Sequence, residues 1–371
     1  MELVVRKNEL LPELQLFQGI VERKNTIPIL ANVLMEAKGD EVRFLATDLE
    51  VGLRSKCAAT VTKGGSITLP AKKFYEIVKA LPETDIRISE DKGGVKIAAD
   101  RFESRMQTLP REDFPSLPES AGGATSPLGR TAVREMVSKT QFAITGEDTR
   151  YFLNGALFVL RPDDMSLVAT DGHRLALVSV NRESSKTAGG DVENKVILPK
   201  KTLGELGRLL IDGDGDVSYE RGENHLFFDV GGRLLISRMI DGQFPAYERV
   251  IPKANDKHIE FERDRLTNAV KRVALLSNER SRAVKFQVDK GKVDVSSSSP
   301  DLGEAKETLP VDYTGGSMQI CFNAQYVLDF LSAVTTDVVS LDVKDEVSQA
   351  VMKPVGAEGY DYTYVIMPMR V

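Results

Sequence analysis

The apolar positions of this chain follow a helical rhythm that returns three times. Leu10, Leu14, Phe17 and Val21 recur at helix spacing, as do Val133, Met136 and Val137, and then Leu266, Ala269, Val270, Val273 and Ala274. Residues three and four apart share one helix face, so the pattern predicts amphipathic helices near 8–21, 130–143 and 263–276. A second set is expected near 71–80, 200–210 and 323–334. Pro70 and Pro199 open two of these, where proline's missing N–H has no partner to lose. Alternating or β-branched runs such as Val42–Thr47 and Lys195–Leu198 read as strands. Lys63-Gly64-Gly65-Ser66 and Asp289-Lys290-Gly291-Lys292 read as hairpin turns. Many tight turns favour antiparallel sheets, and the class expected is α+β with helices on one sheet face.

The elements repeat in sequence as well as in pattern. Ala46-Thr47-Asp48 returns as Ala169-Thr170-Asp171, and Leu69-Pro70-Ala71-Lys72-Lys73-Phe74 returns as Leu198-Pro199-Lys200-Lys201-Thr202-Leu203. A fainter copy is Phe322-Asn323-Ala324-Gln325-Tyr326-Val327. A closing strand, Arg105 to Pro115, recurs as Arg238 to Pro245 and as Tyr364 to Pro368. The period of about 125 residues is too long for a solenoid and selects three domains, placed at 1–120, 121–252 and 253–371.

Composition narrows the function classes. No apolar run is long enough for a membrane span, and the N-terminus lacks the pattern of a signal peptide. The two cysteines, Cys57 and Cys321, fall in different repeats, so a disulfide framework is not expected and the cytoplasm is the default compartment. The net charge of −6 argues against a uniformly basic nucleic-acid binder, although the distribution of charge decides binding.

Catalytic chemistry finds little support. The only histidines are His173, His225 and His258, and no zinc motif, P-loop, dinucleotide fingerprint or nucleophile elbow is present. Asp171 and His173 could in principle form an acid–base pair or ligate a metal, the basis of a metal-dependent hydrolase reading. The basic residues carry more information. Lys72-Lys73 and Lys200-Lys201 hold equivalent places at helix starts, where cations join free backbone N–H groups to suit phosphate. Arg23-Lys24, Arg134, Lys139, Lys271-Arg272, Arg280 and Arg282 add charge on or after the first helices. A peptide-binding scaffold without DNA is the third reading, and the recurring lysine pairs weigh against it.

Ala169-Thr170-Asp171-Gly172-His173-Arg174-Leu175-Ala176 resembles the central motif of the bacterial β sliding clamp family, the processivity subunits of replicative DNA polymerase III. Arg150–Gly155, Asp241-Gly242-Gln243-Phe244-Pro245, Thr26–Leu30, Leu276–Glu279 and Met367-Pro368-Met369-Arg370-Val371 fit the same family, in order and end to end. The resemblance implies a non-enzymatic protein without a cofactor or metal. It implies three clamp domains per chain and a homodimer closed head to tail into a six-domain ring around double-stranded DNA.

The resemblance also places sites. It assigns DNA contact to Lys24, Lys72, Arg150, Tyr151, Phe152, Lys200 and Lys201. It assigns the dimer contact to Met106, Leu275 and Leu276. A groove between the second and third domains would take short peptides from the polymerase catalytic subunit, the clamp loader, other polymerases and repair proteins. Its matching positions are Leu153, Thr170, Gly172, His173, Arg174, Leu175, Pro245, Arg249, Val250, Val365, Met367, Pro368, Met369 and Arg370, with Asn323, Tyr326 and Val347 at the edge. Leucine, valine, proline and methionine there would make an adaptable apolar slot. Asp171 and His173 would then shape a turn and a wall.

Overall fold

Leu10, Leu14 and Phe17 are fully buried on one side of the first helix in the computed structural model, and Leu266, Ala269, Val270 and Val273 repeat that face in the third copy. The structure describes residues 1–21, 26–91, 93–120, 122–146, 148–182, 193–211 and 213–370. The first repeat runs β1 (Glu2–Arg6), α1 (Lys7–Ile20), β2 (Asn32–Lys38), β3 (Glu41–Thr47), β4 (Val51–Ala58), β5 (Thr60–Lys63), β6 (Gly65–Pro70), α2 (Ala71–Ala80), β7 (Asp85–Asp91), β8 (Gly94–Ala99) and β9 (Phe102–Met106). The second runs β10 (Thr125–Leu128), α3 (Arg130–Thr140), β11 (Gly155–Leu160), β12 (Asp164–Thr170), β13 (Arg174–Asn181), β14 (Asn194–Pro199), α4 (Lys200–Leu209), β15 (Val217–Arg221), β16 (His225–Val230) and β17 (Arg233–Arg238). The third runs β18 (Lys257–Glu262), α5 (Arg263–Ala274), β19 (Ala283–Asp289), β20 (Lys292–Ser299), β21 (Gly303–Pro310), β22 (Met318–Asn323), α6 (Ala324–Ala333), β23 (Val338–Val343), β24 (Ala350–Pro354) and β25 (Asp361–Ile366).

Every sheet is antiparallel, and the chain is α+β, as its turn-rich pattern suggests. The helices predicted at 71–80, 200–210 and 323–334 form at 71–80, 200–209 and 324–333. Two details differ from the sequence reading. The Lys63–Ser66 segment is not a hairpin: β5 pairs with β1 and β6 with β2, so the glycines carry the chain from one sheet to another. The Phe-Pro segments are not strand either. The strands end at Met106, Arg238 and Ile366, and Phe114-Pro115 and Phe244-Pro245 follow as irregular chain.

Contacts divide the chain into two compact units. One holds the described residues of 1–134 and 201–239, the other those of 135–200 and 240–370. The first contains a five-stranded sheet, β5-β1-β7-β8-β9, and an eight-stranded sheet, β10-β15-β16-β17-β4-β3-β2-β6. The second contains an eight-stranded sheet, β14-β11-β12-β13-β25-β24-β23-β18, and a four-stranded sheet, β21-β20-β19-β22. Each eight-stranded sheet joins half of one repeat to half of the next. The joining pairs are β4 with β17 and β13 with β25, which occupy the same positions in successive repeats.

In the first unit α1 packs on α2 and β4. Its Glu13 makes a bidentate ion pair with Arg233 of β17, so one carboxylate on the helix ties two repeats together. In the second unit α5 packs on α6, β20 and β21. Lys139, one of the basic residues on the first helices, is buried. Its ammonium pairs with Glu135 and lies 4.5 Å from the centre of the Tyr360 ring.

Candidate functional site

One face of the second unit's large sheet is apolar across six strands. Ile197 stands opposite Leu157, Leu157 opposite Val168, and Val168 opposite Leu177. Next to them Leu175 stands opposite Val365, and Val365 opposite Val351. Side chains alternate across a pleated strand, so this register puts all of them on one face. Tyr247 covers part of the row, and Phe152, Ile240, Phe244 and Ile251 pack around it. Val250, Met367 and Val347 stay exposed. The result is an apolar floor with adaptable exposed residues near it, suited to capturing one or two apolar side chains.

The turn between β12 and β13 forms the wall. Thr170 Oγ1 donates to the Arg174 carbonyl and accepts from Gly172 N–H at 3.1 Å. Asp171 Oδ1 accepts from the backbone N–H groups of His173 and Arg174. Gly172 has φ +87°, the left-handed region, with the Arg150 guanidinium lying 3.4 Å from where a Cβ would stand. The His173 carbonyl accepts from Met367 N–H at 2.9 Å, and its ring stacks on Tyr326 at 6.5 Å. Asp171 is therefore committed to a turn. Among the described residues no group of three His, Cys, Asp or Glu side chains is placed to hold a metal ion.

Arg174 organises the wall. Its guanidinium pairs with Asp171 and Asp329, donates to the Phe142 carbonyl at 2.7 Å, and lies 4.3 Å from the centre of the Tyr326 ring. Burial works against the charge. Tyr364, Asp329 and Asp171 outweigh it, and the pKa lies above the ordinary guanidinium value. Arginine suits this place because its planar fork serves two carboxylates while its face stacks on an aromatic ring. Asn323 accepts from Gln325 N–H at 2.9 Å and caps α6, which fixes Tyr326.

The other expected groove residues are distributed simply. Leu153, Leu175 and Val365 are buried; Pro245, Arg249 and Arg370 are exposed; Pro368 and Met369 are half-buried. Met369 N–H donates to the Cys321 carbonyl, so the chain end is fastened along β22. Sequence reasoning missed Leu157, Val168, Leu177, Tyr247 and Asp329. Alternation with Leu175 was the available signal for Leu177. β11 is buried on both faces and carries no alternation to read.

The residues expected to touch DNA behave unequally. Lys24 lies outside the described residues. Lys72 and Tyr151 are exposed, and Lys72 comes within 3.8 Å of Glu76. Arg150 is exposed and held in a fork by Asp148, whose carboxyl it draws down to about 2. Phe152 is half-buried and packs against the apolar cluster. Lys200 Nζ donates to the Ile144 carbonyl at 3.0 Å. Lys201 Nζ donates to the Ile20 carbonyl at 3.0 Å and pairs with Asp48, so it neutralises the C-terminal end of α1. Of the residues expected at the dimer contact, Leu275 is 76% exposed, Leu276 is half-buried and Met106 is buried within its own chain.

Comparison with known proteins gives one answer along the whole chain. The family described as DNA polymerase III beta subunit, N-terminal domain, matches residues 1–118; its central domain matches 128–246 and its C-terminal domain 248–370. A beta sliding clamp of Pseudomonas putida is 38% identical over all of both chains, and that of Escherichia coli K12 is 34% identical over the same extent. Among solved structures, the DNA polymerase III subunit beta of Pseudomonas aeruginosa superposes with a TM-score of 0.93 at 35% identity, covering all of both chains. The Caulobacter crescentus pol III beta gives 0.90 at 36%. With its three repeats, its clamp-type sheets and these matches, the chain belongs to the DNA polymerase III beta subunit family, the beta sliding clamps, which are non-catalytic processivity factors.

Proposed function

We propose that two copies of this chain close into a ring around duplex DNA and carry partner proteins through short peptides held on the apolar groove. The sheet order is the observation that supports the ring most directly. β4 pairs with β17, and β13 pairs with β25. The strands left in the equivalent positions are β21 and β9, and each ends its sheet among the described residues. Pairing β21 of one chain with β9 of the next repeats a junction that the chain already makes twice. Such a head-to-tail contact closes when the rotation suits the copy number, and three domains per chain, 1–120, 121–252 and 253–371, make six in a dimer. Leu275 and Leu276 follow α5, which packs on β21, and Met106 ends β9, so all three belong to this contact.

A ring holds DNA topologically, so its phosphate contacts need only be weak. Non-specific attraction scales with the phosphates neutralised, and sliding favours few. Lys24, Lys72, Arg150 and Tyr151 supply such contacts, while Lys200 and Lys201 mainly secure α4 and Phe152 the groove. An overall charge of −6 discourages binding anywhere else. The groove serves the polymerase catalytic subunit, the clamp loader, other polymerases and repair proteins, in the cytoplasm. The decisive experiment loads the protein on nicked circular DNA. Retention on circles and loss after linearisation are expected, with a solution mass of twice 40.9 kDa. Leu275→Asp is expected to halve the mass and abolish retention on circles. Equal retention on circles and linear DNA would refute the ring.

A further inference from the structure

The register of the two large sheets aligns the repeats residue by residue, and it places a second cleft where the first unit repeats the apolar groove of the second. Asn32, opposite Pro70, corresponds to Gly155, opposite Pro199. Leu34 therefore corresponds to Leu157. Leu45, opposite Leu34, corresponds to Val168, and Arg54, opposite Leu45, corresponds to Leu177. Phe114-Pro115 with Leu117 matches Phe244-Pro245 with Tyr247. A cavity of about 420 Å³ lies over Leu34 and Leu45 at this position, with Leu117 at its side.

Two floor positions keep aliphatic residues, Leu34 and Leu45 for Leu157 and Val168, while the third, Leu177, becomes Arg54 and charge gathers around it. Where the apolar groove has Val159, Ser166, Leu177 and Ser179, the first cleft has Glu36, Arg43, Arg54 and Lys56. Arg111 adds a fourth cation beside Glu36 at 3.4 Å. Arg43 and Lys56 share one carboxylate, Glu41, and Glu119 stands 3.9 Å from Arg54. Four cations thus meet three carboxylates. Arg54 gives one Nη to the Leu117 carbonyl at 3.2 Å, and its Nε is buried with no hydrogen-bond partner. A buried donor without an acceptor is costly, and an incoming carboxylate or carbonyl would relieve it. At the third equivalent position Lys285, Ser296 and Lys306 replace Leu157, Val168 and Leu177, so the floor there is polar.

We propose that the cleft over Leu34 and Leu45 is a second peptide site, selective for a linear segment of a partner protein that carries an acidic residue beside an aliphatic or aromatic anchor. The cleft follows from the sheet register. The choice of a peptide as occupant rests on the reading of the apolar groove given above. Aliphatic floor and cationic rim complement the two halves of such a segment, and charge complementarity supplies the selection.

The test uses the full chain with labelled leucine methyl groups. The probes are acetyl-Asp-Leu-Asp-Phe-amide and its neutral counterpart acetyl-Asn-Leu-Asn-Phe-amide. Signals of Leu34, Leu45 and Leu117 report the first cleft, and those of Leu157, Leu175 and Leu177 report the apolar groove. The acidic peptide is expected to move the first set with about fivefold higher affinity than the neutral one, the worth of two exposed ion pairs. The double variant Arg43→Ser, Lys56→Ser installs the residues of the other groove at positions that are each 57% exposed, so folding is retained and the preference disappears. Silence at Leu34, Leu45 and Leu117 while Leu175 and Leu177 respond would overturn this site and leave the apolar groove standing. Equal affinity for the two peptides would overturn the selection by charge. A response in the first cleft alone would uphold it and remove the earlier reading of the groove.

Discussion

Arg174 and Asp329 are 155 residues apart in sequence and share a largely buried ion pair that joins the second repeat to helix α6 of the third. Arg174 is only 9% exposed, and Asp171, Phe142 and Tyr326 complete its surroundings. The pair therefore sets the spacing between the turn at Gly172 and the ring of Tyr326, the wall of the apolar groove.

Asp329→Asn keeps the shape and removes the charge. Stripping one partner from a buried ion pair costs about 3–5 kcal/mol, and because Asp171 remains the expected loss is about 2 kcal/mol. A fall in the urea midpoint, with weaker peptide binding, is the expected outcome. An unchanged midpoint would show that Asp171 alone satisfies Arg174.

Lys201 and Lys72 stand at comparable helix starts and are expected to separate in their effects. Lys201→Ala breaks contacts to the Ile20 carbonyl and Asp48, so it should lower thermal stability by about 1–2 kcal/mol and leave the salt dependence of DNA retention alone. Lys72→Ala removes an exposed charge, so it should spare stability and reduce the slope of log affinity against log salt by up to about 0.9. Thermal melts and a salt titration on circular DNA read both. The reverse assignment of effects would return Lys201 to the DNA surface.

The lysine pairs show where sequence reasoning works and where it stops. Repetition revealed three domains because the Ala-Thr-Asp and Leu-Pro segments keep their residues. It placed the helices because Leu10, Leu14 and Phe17 must share a buried face. It left open where a lysine ammonium would end up, since Lys72 and Lys201 differ only in what the fold brings near them. Asp48 meets Lys201 through a contact 153 residues long. The turn of the candidate site was legible, because Thr170 to Leu175 is a local motif. Its floor was not, because Leu157, Val168 and Leu177 become one surface only through strand register. Phe152 shows the same limit: its neighbours Arg150 and Tyr151 face solvent, and a short 3-10 turn sends the third side chain inward.

The floor makes its own prediction. Leu177 is half-buried between Val168 and Thr363. Leu177→Asp places a carboxylate on an apolar face and should weaken binding of an apolar peptide at least about tenfold, with a smaller effect on folding because the side chain borders solvent. Removing residues 367–371 should have a similar effect, since Met367 and Met369 are anchored beside the groove through His173 and Cys321. Fluorescence anisotropy of a labelled peptide measures both. Unchanged affinity in the two variants would move the peptide site elsewhere.

His258 supplies a pH dependence whose sign can be fixed. Nδ1 contacts Asp342 at 2.6 Å and Nε2 contacts Glu260 at 3.2 Å, and these carboxylates raise its pKa above the ordinary histidine value. A raised folded pKa means that the folded state holds the proton more tightly than the unfolded chain. The stabilisation is complete below the unfolded value, about 6.5, and is lost as pH rises through the higher folded value. The ring is 57% exposed, so solvent screening keeps the contribution under about 1 kcal/mol. The pair Asp342 and His258 joins β23 to β18, the outermost pairing of its sheet, where local opening is easiest. His258→Gln should therefore lower the melting temperature at pH 6 and have less effect at pH 9. A larger effect at pH 9 would mean that the neutral ring, through packing, is the stabilising form.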